Sequence, residues 1–187
     1  KIAGKHNPKI ITRLGVREFL INEEIHEAID IDWWKEISTH NGLTVQAVPA
    51  QHFSGRGMND RDATLWCGYL LKTNEGNIYF AGDTGYNDKT FKTIGETAGT
   101  VKIALIPIGS YKPQWFMSPI HVSPEEAVKI HLDVRADKSI ATHFGTFALG
   151  DDGQDEAVTD LQRAKENSSV ADDRFIVLEE GSHYDSP

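Results

Sequence analysis

The stretch Asn77-Ile78-Tyr79-Phe80-Ala81-Gly82-Asp83-Thr84-Gly85-Tyr86 decides how this chain is organised. Its first part favours a buried β-strand, because isoleucine and aromatic residues are typical strand formers. The two glycines break that strand on either side of Asp83 and leave a carboxylate at its end. A single aspartate in this position is typical of a turn or a helix N-cap, so the stretch alone does not predict a functional site.

Two histidines lie in similar positions and change that interpretation. His52 closes the apolar run VQAVPAQH, and His143 closes the run SIATH. Three side chains that can bind a metal, each at the end of an apolar run, predict one rim of a sheet and one metal site. His52, Asp83 and His143 are separated by 31 and 60 residues, which is unlike the local spacing of a structural zinc finger. We therefore expect a catalytic site gathered from distant strand ends.

Length and composition favour one soluble globular domain over residues 1–187. The net charge is −9, and no run of Lys or Arg is dense enough to follow a phosphate backbone, so a nucleic-acid partner is disfavoured. The only cysteine, Cys67, is expected to be a small core residue. No stretch resembles a transmembrane segment or a signal peptide, which favours the cytoplasm. The chain begins at Lys1 without a methionine, so an upstream segment could be missing.

The order of predicted elements indicates a mixed α/β domain in which helices pack on a sheet. Strands dominate the first half, with a hairpin turn at Asn41-Gly42, and strands alternate with helices in the second half. Ser123-Pro124-Glu125-Glu126 combines a capping serine, a proline at the first helical position and a glutamate at the third, and predicts a helix start. His131 falls within that helix, where we expect a surface position. His121 precedes it, and either loop packing or a catalytic, phosphate-facing role fits.

Several sequence blocks together resemble the second half of a metallo-β-lactamase-fold hydrolase. The general resemblance is carried by Pro49-Ala50-Gln51-His52, Leu65-Trp66 and Phe80-Ala81-Gly82-Asp83-Thr84-Gly85. The subgroup of the N-acyl-phosphatidylethanolamine-hydrolysing phospholipase D and its bacterial relatives is indicated by Gly109-Ser110-Tyr111, Trp115-Phe116-Met117, the run from His121 to Ala127, and Thr142-His143-Phe144-Gly145-Thr146-Phe147. The resemblance extends from about Asn7 to Leu178 and so covers nearly the whole chain.

This resemblance implies an αββα sandwich with two zinc ions at the rim of the sheet. On that basis His52 is a ligand of the first metal, Asp83 bridges both metals, and His143 is a ligand of the second. His121 matches an active-site histidine that is not a principal metal ligand. The family's other ligands come from a His-x-His-x-Asp-His motif, which the printed sequence does not contain. We therefore expect a sandwich that lacks its N-terminal portion and holds about half of the metal ligands.

The implied reaction is zinc-dependent hydrolysis of a phosphodiester, in which a metal-bound hydroxide attacks phosphorus. Asp83 would orient the nucleophile, and His121 would donate a hydrogen bond to the phosphoryl group with help from Tyr111. Trp115, Phe116 and Met117 would line an apolar approach for a lipid-like substrate, although packing beneath their loop explains them equally well. Iron, manganese or nickel could replace zinc at a site of this composition.

Three other interpretations remain open at this stage. The same site could serve a lactonase or another ester hydrolase, since an activated water attacks carbonyl carbon as readily as phosphorus. The chain could be a non-catalytic fragment or subunit that needs a partner to complete the site. It could also hold one structural metal. Half of a sandwich would expose an apolar sheet face, which predicts self-association.

Overall fold

The computed structural model describes residues 2–40 and 42–185, without the side chains of the first two. The helices are α1 (Ile2–His6), α2 (Val16–Asn22), α3 (Asp88–Thr97), α4 (Gln114–Met117), α5 (Pro124–Asp133) and α6 (Glu156–Asn167). The strands are β1 (Ile10–Arg13), β2 (Ala28–Ile31), β3 (Glu36–Ser38), β4 (Thr44–Pro49), β5 (Cys67–Lys72), β6 (Asn77–Phe80), β7 (Val101–Pro107), β8 (Ala136–Thr142) and β9 (Phe175–Ile176).

Seven strands form one mixed sheet in the order β3-β4-β5-β6-β7-β8-β9. The pairs from β3 to β6 are antiparallel, and the pairs from β6 to β9 are parallel. Strands β4, β6, β7 and β8 therefore all run in the same direction, and their carboxyl ends lie at one edge of the sheet. Strands β1 and β2 form a separate parallel pair.

Helices α3, α5 and α6 cover one face of the large sheet. Their apolar sides meet the inward side chains of the strands in one continuous core, which includes Tyr79, Phe91, Ile106, Ile130 and Leu161, each almost fully buried. The predicted start of α5 is confirmed: Ser123 and Glu126 form a complete capping box with Pro124 at the first turn. This reciprocal cap satisfies two backbone N–H groups and fixes where the helix begins after His121.

The opposite face of the sheet is covered unevenly. Ile31 of β2 packs with Val45 and Ala47 of β4 in a second, smaller apolar cluster. Further along the sheet, the register aligns Phe80, Leu105 and Ile140 in one row across β6, β7 and β8. Leu105 and Ile140 are only half-buried and Phe80 is exposed, so this part of the face is apolar and incompletely covered.

Most predicted elements are present. The final strand, β9, is short because only Phe175 and Ile176 pair with β8. His131 is buried, which corrects the expected surface position: its Nδ1 atom lies 2.8 Å from the hydroxyl of Ser139 on β8. The predicted β3–β4 hairpin is confirmed by its antiparallel register. Asn41, in its predicted turn, lies outside the described residues.

Among the described residues, no helix combines the length and the apolar character that crossing a bilayer requires.

Candidate active site

Strand direction brings the predicted ligands to the same edge of the sheet. His52 follows β4, Asp83 follows β6 and His143 follows β8, and these strands are parallel to one another. The chain leaves β8 sharply, because His143 adopts a left-handed conformation with φ of 59°. Gly109 at the end of β7 permits this path, since a side chain there would collide with the carbonyl of His143.

The four predicted site residues form a contiguous cluster. The Nε2 atom of His143 lies 3.4 Å from Oδ1 of Asp83. The ring of His121 lies between the other two imidazoles, with its centroid 5.3 Å from that of His143 and 5.2 Å from that of His52. The structure therefore brings together two histidines and one aspartate predicted as ligands, together with the histidine predicted to act beside them.

The electrostatics of the cluster follow from these distances. The hydrogen bond with His143 holds the pKa of Asp83 below its ordinary value, and the same interaction raises the pKa of His143. Burial lowers the pKa of His121 to about 4, and the neighbouring rings of His52 and His143 add to this shift. At neutral pH His121 is therefore an uncharged imidazole, which can donate one hydrogen bond and accept another.

The arrangement of imidazole nitrogens fits part of a divalent metal site. The Nδ1 atom of His52 lies 2.9 Å from the carbonyl oxygen of Phe53. Because a carbonyl can only accept, Nδ1 carries the proton and the buried Nε2 atom presents a lone pair. Within the described chain, nothing bonds to that Nε2 atom or to the buried Nδ1 atom of His121. Across residues 2–40 and 42–185, however, no three His, Cys, Asp or Glu side chains form a complete metal-binding group.

Sequence reasoning missed Thr84, which joins the loops that carry the site. Its fully buried hydroxyl accepts a hydrogen bond from the backbone nitrogen of Gln51, and its own carbonyl accepts one from the backbone nitrogen of Val122. The three residues are direct neighbours of His52, Asp83 and His121. The strand–turn pattern could have drawn attention to Thr84, but its partners are too distant in sequence to identify.

Tyr111 does not occupy the position expected of a substrate-binding residue. Its ring is buried in the main core, and its hydroxyl donates a 2.7 Å hydrogen bond to Asp160 of α6. Trp115 and Phe116 are strongly exposed and Met117 is half-buried, so packing beneath the loop does not account for the two aromatic residues. Those two rings contact each other edge to face, with centroids 5.7 Å apart.

A cavity of about 420 Å³ adjoins the cluster at His143. Its walls come mainly from the loop between β8 and α6, including Phe147 and Leu149, and from Ser110 at the end of β7. Asp152 also lines the cavity, and one of its carboxylate oxygens accepts a hydrogen bond from the backbone nitrogen of Ser110 at 2.9 Å. No sequence signal distinguished Asp152 from its acidic neighbours, because this contact joins two distant loops.

Comparison with known proteins identifies several relatives of this chain. The chain is 37% identical over 154 residues to the N-acyl-phosphatidylethanolamine-hydrolyzing phospholipase D 1 of Caenorhabditis elegans, covering 77% of this chain and 43% of that protein. It is 36% identical over 153 residues to the mitochondrial N-acyl-phosphatidylethanolamine-hydrolyzing phospholipase D of Saccharomyces cerevisiae, covering 79% of this chain and 32% of that protein. The chain thus spans less than half the length of these two relatives.

Solved structures agree on the fold. Igni18, a metallo hydrolase from Ignicoccus hospitalis, superposes with a TM-score of 0.72 at 20% identity, covering 97% of this chain and 70% of that chain. An isothiocyanate hydrolase from Delia radicum gut bacteria superposes with a TM-score of 0.69 at 18% identity, covering 97% of this chain and 69% of that chain. These likenesses confirm the predicted fold class. The family model described as "Beta-lactamase superfamily domain" matches residues 2–144, which include all four site residues. The chain therefore belongs to the beta-lactamase superfamily.

Proposed function

We propose that the protein is a metal-dependent hydrolase of phosphodiesters with phospholipase D-like chemistry. The observation that carries this proposal is the cluster of His52, Asp83, His121 and His143 at the carboxyl edge of the sheet. It combines an ionised carboxylate with buried imidazole nitrogens that have no protein partner. Such groups are suited to bind a cation and, beside it, the oxygens of a phosphoryl group.

The chemistry of each side chain suggests its role. His52 and His143 would hold the metal through imidazole nitrogens, and Asp83 would hold it through its carboxylate. When bound, a divalent metal supplies Lewis-acid polarisation of the phosphoryl oxygen and lowers the pKa of a nearby water. His121 would donate a hydrogen bond to the phosphoryl group, which its neutral state at pH 7 permits without repelling a metal ion. Zinc suits this mixture of nitrogen and oxygen ligands best, ahead of other transition metals.

The relatives and the surface together support a lipid-like substrate. Two relatives bear the name of enzymes that hydrolyse N-acyl-phosphatidylethanolamine, a phosphodiester with acyl chains. In this chain, Trp115 and Phe116 present apolar surface on α4, which lies shortly before His121. We therefore assign to those two rings, with Met117, the contact to the apolar part of the substrate. The hydroxyl of Tyr111 has no part in this assignment because Asp160 already engages it.

The remaining metal ligands have to come from outside the residues described. We propose that residues 1–187 form one part of a metallo-β-lactamase-like domain, which a further segment or a partner completes. The longer length of the relatives supports this view. Cytoplasmic location stays a prediction from the sequence.

The half-covered row of Phe80, Leu105 and Ile140 supports the related proposal of self-association. Two copies, or the completing segment, would bury this surface. Sedimentation of the 187-residue chain should reveal concentration-dependent association, and Leu105→Lys should weaken it. A monomeric chain at all accessible concentrations would contradict the proposal.

The central experiment measures hydrolysis by the full-length protein loaded with two equivalents of zinc. We expect turnover of bis(p-nitrophenyl) phosphate. We also expect hydrolysis of N-acyl-phosphatidylethanolamine, with release of phosphatidic acid. Asp83→Asn should abolish both activities, whereas Asp137→Asn, at the opposite end of β8, should leave them unchanged. Absence of phosphodiester turnover with both metals bound would contradict the proposal. Faster hydrolysis of a lactone under the same conditions would assign the site to carbonyl chemistry.

A further inference from the structure

Gln51 comes directly before His52, and its backbone is bonded to the loop that carries Asp83. The backbone nitrogen of Gln51 donates to the hydroxyl of Thr84 at 2.9 Å, and its carbonyl oxygen accepts from the backbone nitrogen of Gly85 at 2.7 Å. These two bonds require no particular side chain at position 51. They join two loops that carry predicted metal ligands, so the side chain of Gln51 is available for a different contact.

The side-chain amide of Gln51 reaches a third loop. Its Nε2 atom donates to the carbonyl oxygen of Pro119 at 2.9 Å, and its Oε1 atom accepts from Nδ2 of Asn87 at 3.1 Å. Oδ1 of Asn87 caps α3 by accepting from the backbone nitrogen of Thr90. Because that oxygen is already used, the Asn87 amide presents its nitrogen to Gln51. The amide nitrogen of Gln51 is therefore directed at Pro119.

The same contact depends on the absence of a side chain at Gly85. A Cβ atom added to Gly85 would lie 2.5 Å from the carbonyl oxygen of Pro119 and 2.7 Å from Nε2 of Gln51. Both distances are well below the optimum for non-bonded heavy atoms, about 3.5 Å. The glycine therefore provides the space in which Gln51 and Pro119 meet.

His121 belongs to a compact turn that continues α4. The backbone nitrogens of Ile120 and His121 both donate to the carbonyl oxygen of Met117, the last residue of that helix. Pro119 lies inside this turn. A displacement of the Pro119 carbonyl is therefore transmitted to the imidazole of His121.

Two attachments hold this turn on the rest of the site. The backbone nitrogen of Val122, directly after His121, donates to the carbonyl oxygen of Thr84 at 2.9 Å. The amide of Gln51 holds the turn at Pro119, two residues before His121. One attachment alone would allow the turn to rotate about it, whereas two attachments define the orientation of the imidazole.

We propose that Gln51 is a positioning residue for His121. Its side chain fixes the ring of His121 between those of His52 and His143, at centroid distances of 5.2 and 5.3 Å. This role rests on the proposed function only for the part that His121 takes in hydrolysis, because the placement of the ring is a property of the folded chain. A misplacement of about 1 Å can cost roughly 100-fold in rate. The amide at position 51 thus sets how well His121 meets the phosphoryl group.

Two substitutions of Gln51 remove the donor to Pro119 in different ways. Gln51→Met keeps the length of the side chain without its amide, and Gln51→Glu places a carboxylate oxygen against the Pro119 carbonyl. In the full-length protein loaded with zinc, Gln51→Met should lower kcat for bis(p-nitrophenyl) phosphate by about tenfold or more, with KM and zinc affinity within about threefold of wild type. Zinc affinity is retained because the backbone bonds of Gln51 remain. Gln51→Glu should lower kcat at least as much.

A substitution on another loop disturbs the same contact from the opposite side. Gly85→Ala crowds the Pro119 carbonyl and Nε2 of Gln51, and should reproduce the fall in kcat. Gln46→Met is the matched control, because Nε2 of Gln46 also donates to a backbone carbonyl, that of Trp34, but within β4 and away from the cluster. It should keep the wild-type kcat. Far-UV circular dichroism of each variant verifies that folding is preserved.

NMR of the histidine rings measures the position of His121 without any turnover. In protein labelled with carbon-13 histidine, the ring protons of His121 report the ring currents of the two neighbouring imidazoles. These signals should shift in Gln51→Met and in Gly85→Ala, and should keep their wild-type positions in Gln46→Met. A purely structural role for Gln51 would lower stability and leave the His121 signals in place.

Each other outcome contradicts the proposal. Wild-type kcat in Gln51→Met, or a fall in kcat with unshifted His121 signals, would show that Gln51 does not position that ring. A loss of zinc affinity as large as the loss of kcat would place its action on the metal ligands instead. If the wild-type protein hydrolyses no phosphodiester, the hydrolase proposal is wrong, and the His121 signals alone decide the role of Gln51.

Discussion

The hydroxyl oxygen of Thr84 accepts a hydrogen bond from the backbone nitrogen of Gln51 at 2.9 Å, and so joins the loop of His52 to that of Asp83. Thr84→Val keeps the shape of the side chain but leaves that backbone N–H without its partner. We expect a loss of about 2 kcal/mol in the free energy of unfolding, the cost of an unsatisfied buried donor. Metal affinity should fall as well, because the two loops are no longer held together.

Urea unfolding and metal titration of the same Thr84→Val protein measure these effects. Thr93→Val, on the exposed side of α3, is the matched control and should change stability by less than about 0.5 kcal/mol. Equal stability and metal affinity for both variants would show that Thr84 does not hold the loops together.

Removal of the carboxylate at Asp83 should weaken metal binding more than substitution of a residue that only supports the metal ligands. Asp83→Asn preserves size but removes the charge that interacts with His143. Substitution of residues that only support metal ligands costs about 10–100-fold in affinity, so loss of a ligand should exceed about 100-fold. Calorimetric titration of zinc into the apo protein measures this, with Asp137→Asn as the control. Unchanged affinity in Asp83→Asn would exclude Asp83 from the metal site.

The buried histidine His131 should make stability depend on pH. Burial, with a contribution from Arg174, lowers its pKa in the folded protein to about 4, whereas the unfolded value is near 6.5. The unfolded chain therefore takes up the proton first as pH falls. The stability that neutral His131 contributes is present above about pH 6.5 and is lost between about pH 6.5 and 4, by up to roughly 3 kcal/mol.

His131→Asn can retain the contact with Ser139 and cannot gain a charge. Its free energy of unfolding should therefore vary less between pH 7 and pH 4 than that of the wild type. Some dependence should remain, because the pKa of His121 is also lowered to about 4. His26→Asn, at an exposed position, should keep the wild-type slope. Parallel pH profiles for wild type and His131→Asn would contradict the prediction.

Tyr111→Phe tests whether the hydroxyl of Tyr111 has a structural or a catalytic role. Because the hydroxyl donates to Asp160, its loss should lower the free energy of unfolding by about 1 kcal/mol. The KM and kcat for a soluble phosphodiester should stay at the wild-type values. A fall in kcat without a fall in stability would show instead that Tyr111 contacts the substrate during the reaction. The matched control is Tyr184→Phe near the end of the described chain.

The sequence predicted the parts of the fold that depend on local chemistry. The capping box at Ser123, the hairpin between β3 and β4 and the strand ends at Asp83 and His143 each have a signal within a few residues. The meeting of these strand ends was also predictable, because strands that run in the same direction end at the same edge of a sheet. These signals predicted that His52, Asp83 and His143 meet at one rim, whereas the place of His121 beside them came from the family resemblance.

Long-range contacts explain what the sequence did not predict. The burial of His131 on α5 depends on Ser139 of β8 and Phe175 of β9. The position of Tyr111 depends on Asp160, almost fifty residues away. In both cases the helical or loop pattern around the residue was interpreted correctly, but its partner could not be identified without the packing of α5 and α6.

The parallel arrangement of β6, β7 and β8 has a consequence for biosynthesis. Two neighbouring parallel strands are joined by a crossover that contains a helix. The strands of each pair are therefore far apart in sequence. His52 leaves the ribosome long before His143 does. The proposed metal site therefore cannot assemble on the nascent chain until β8 and His143 have been translated.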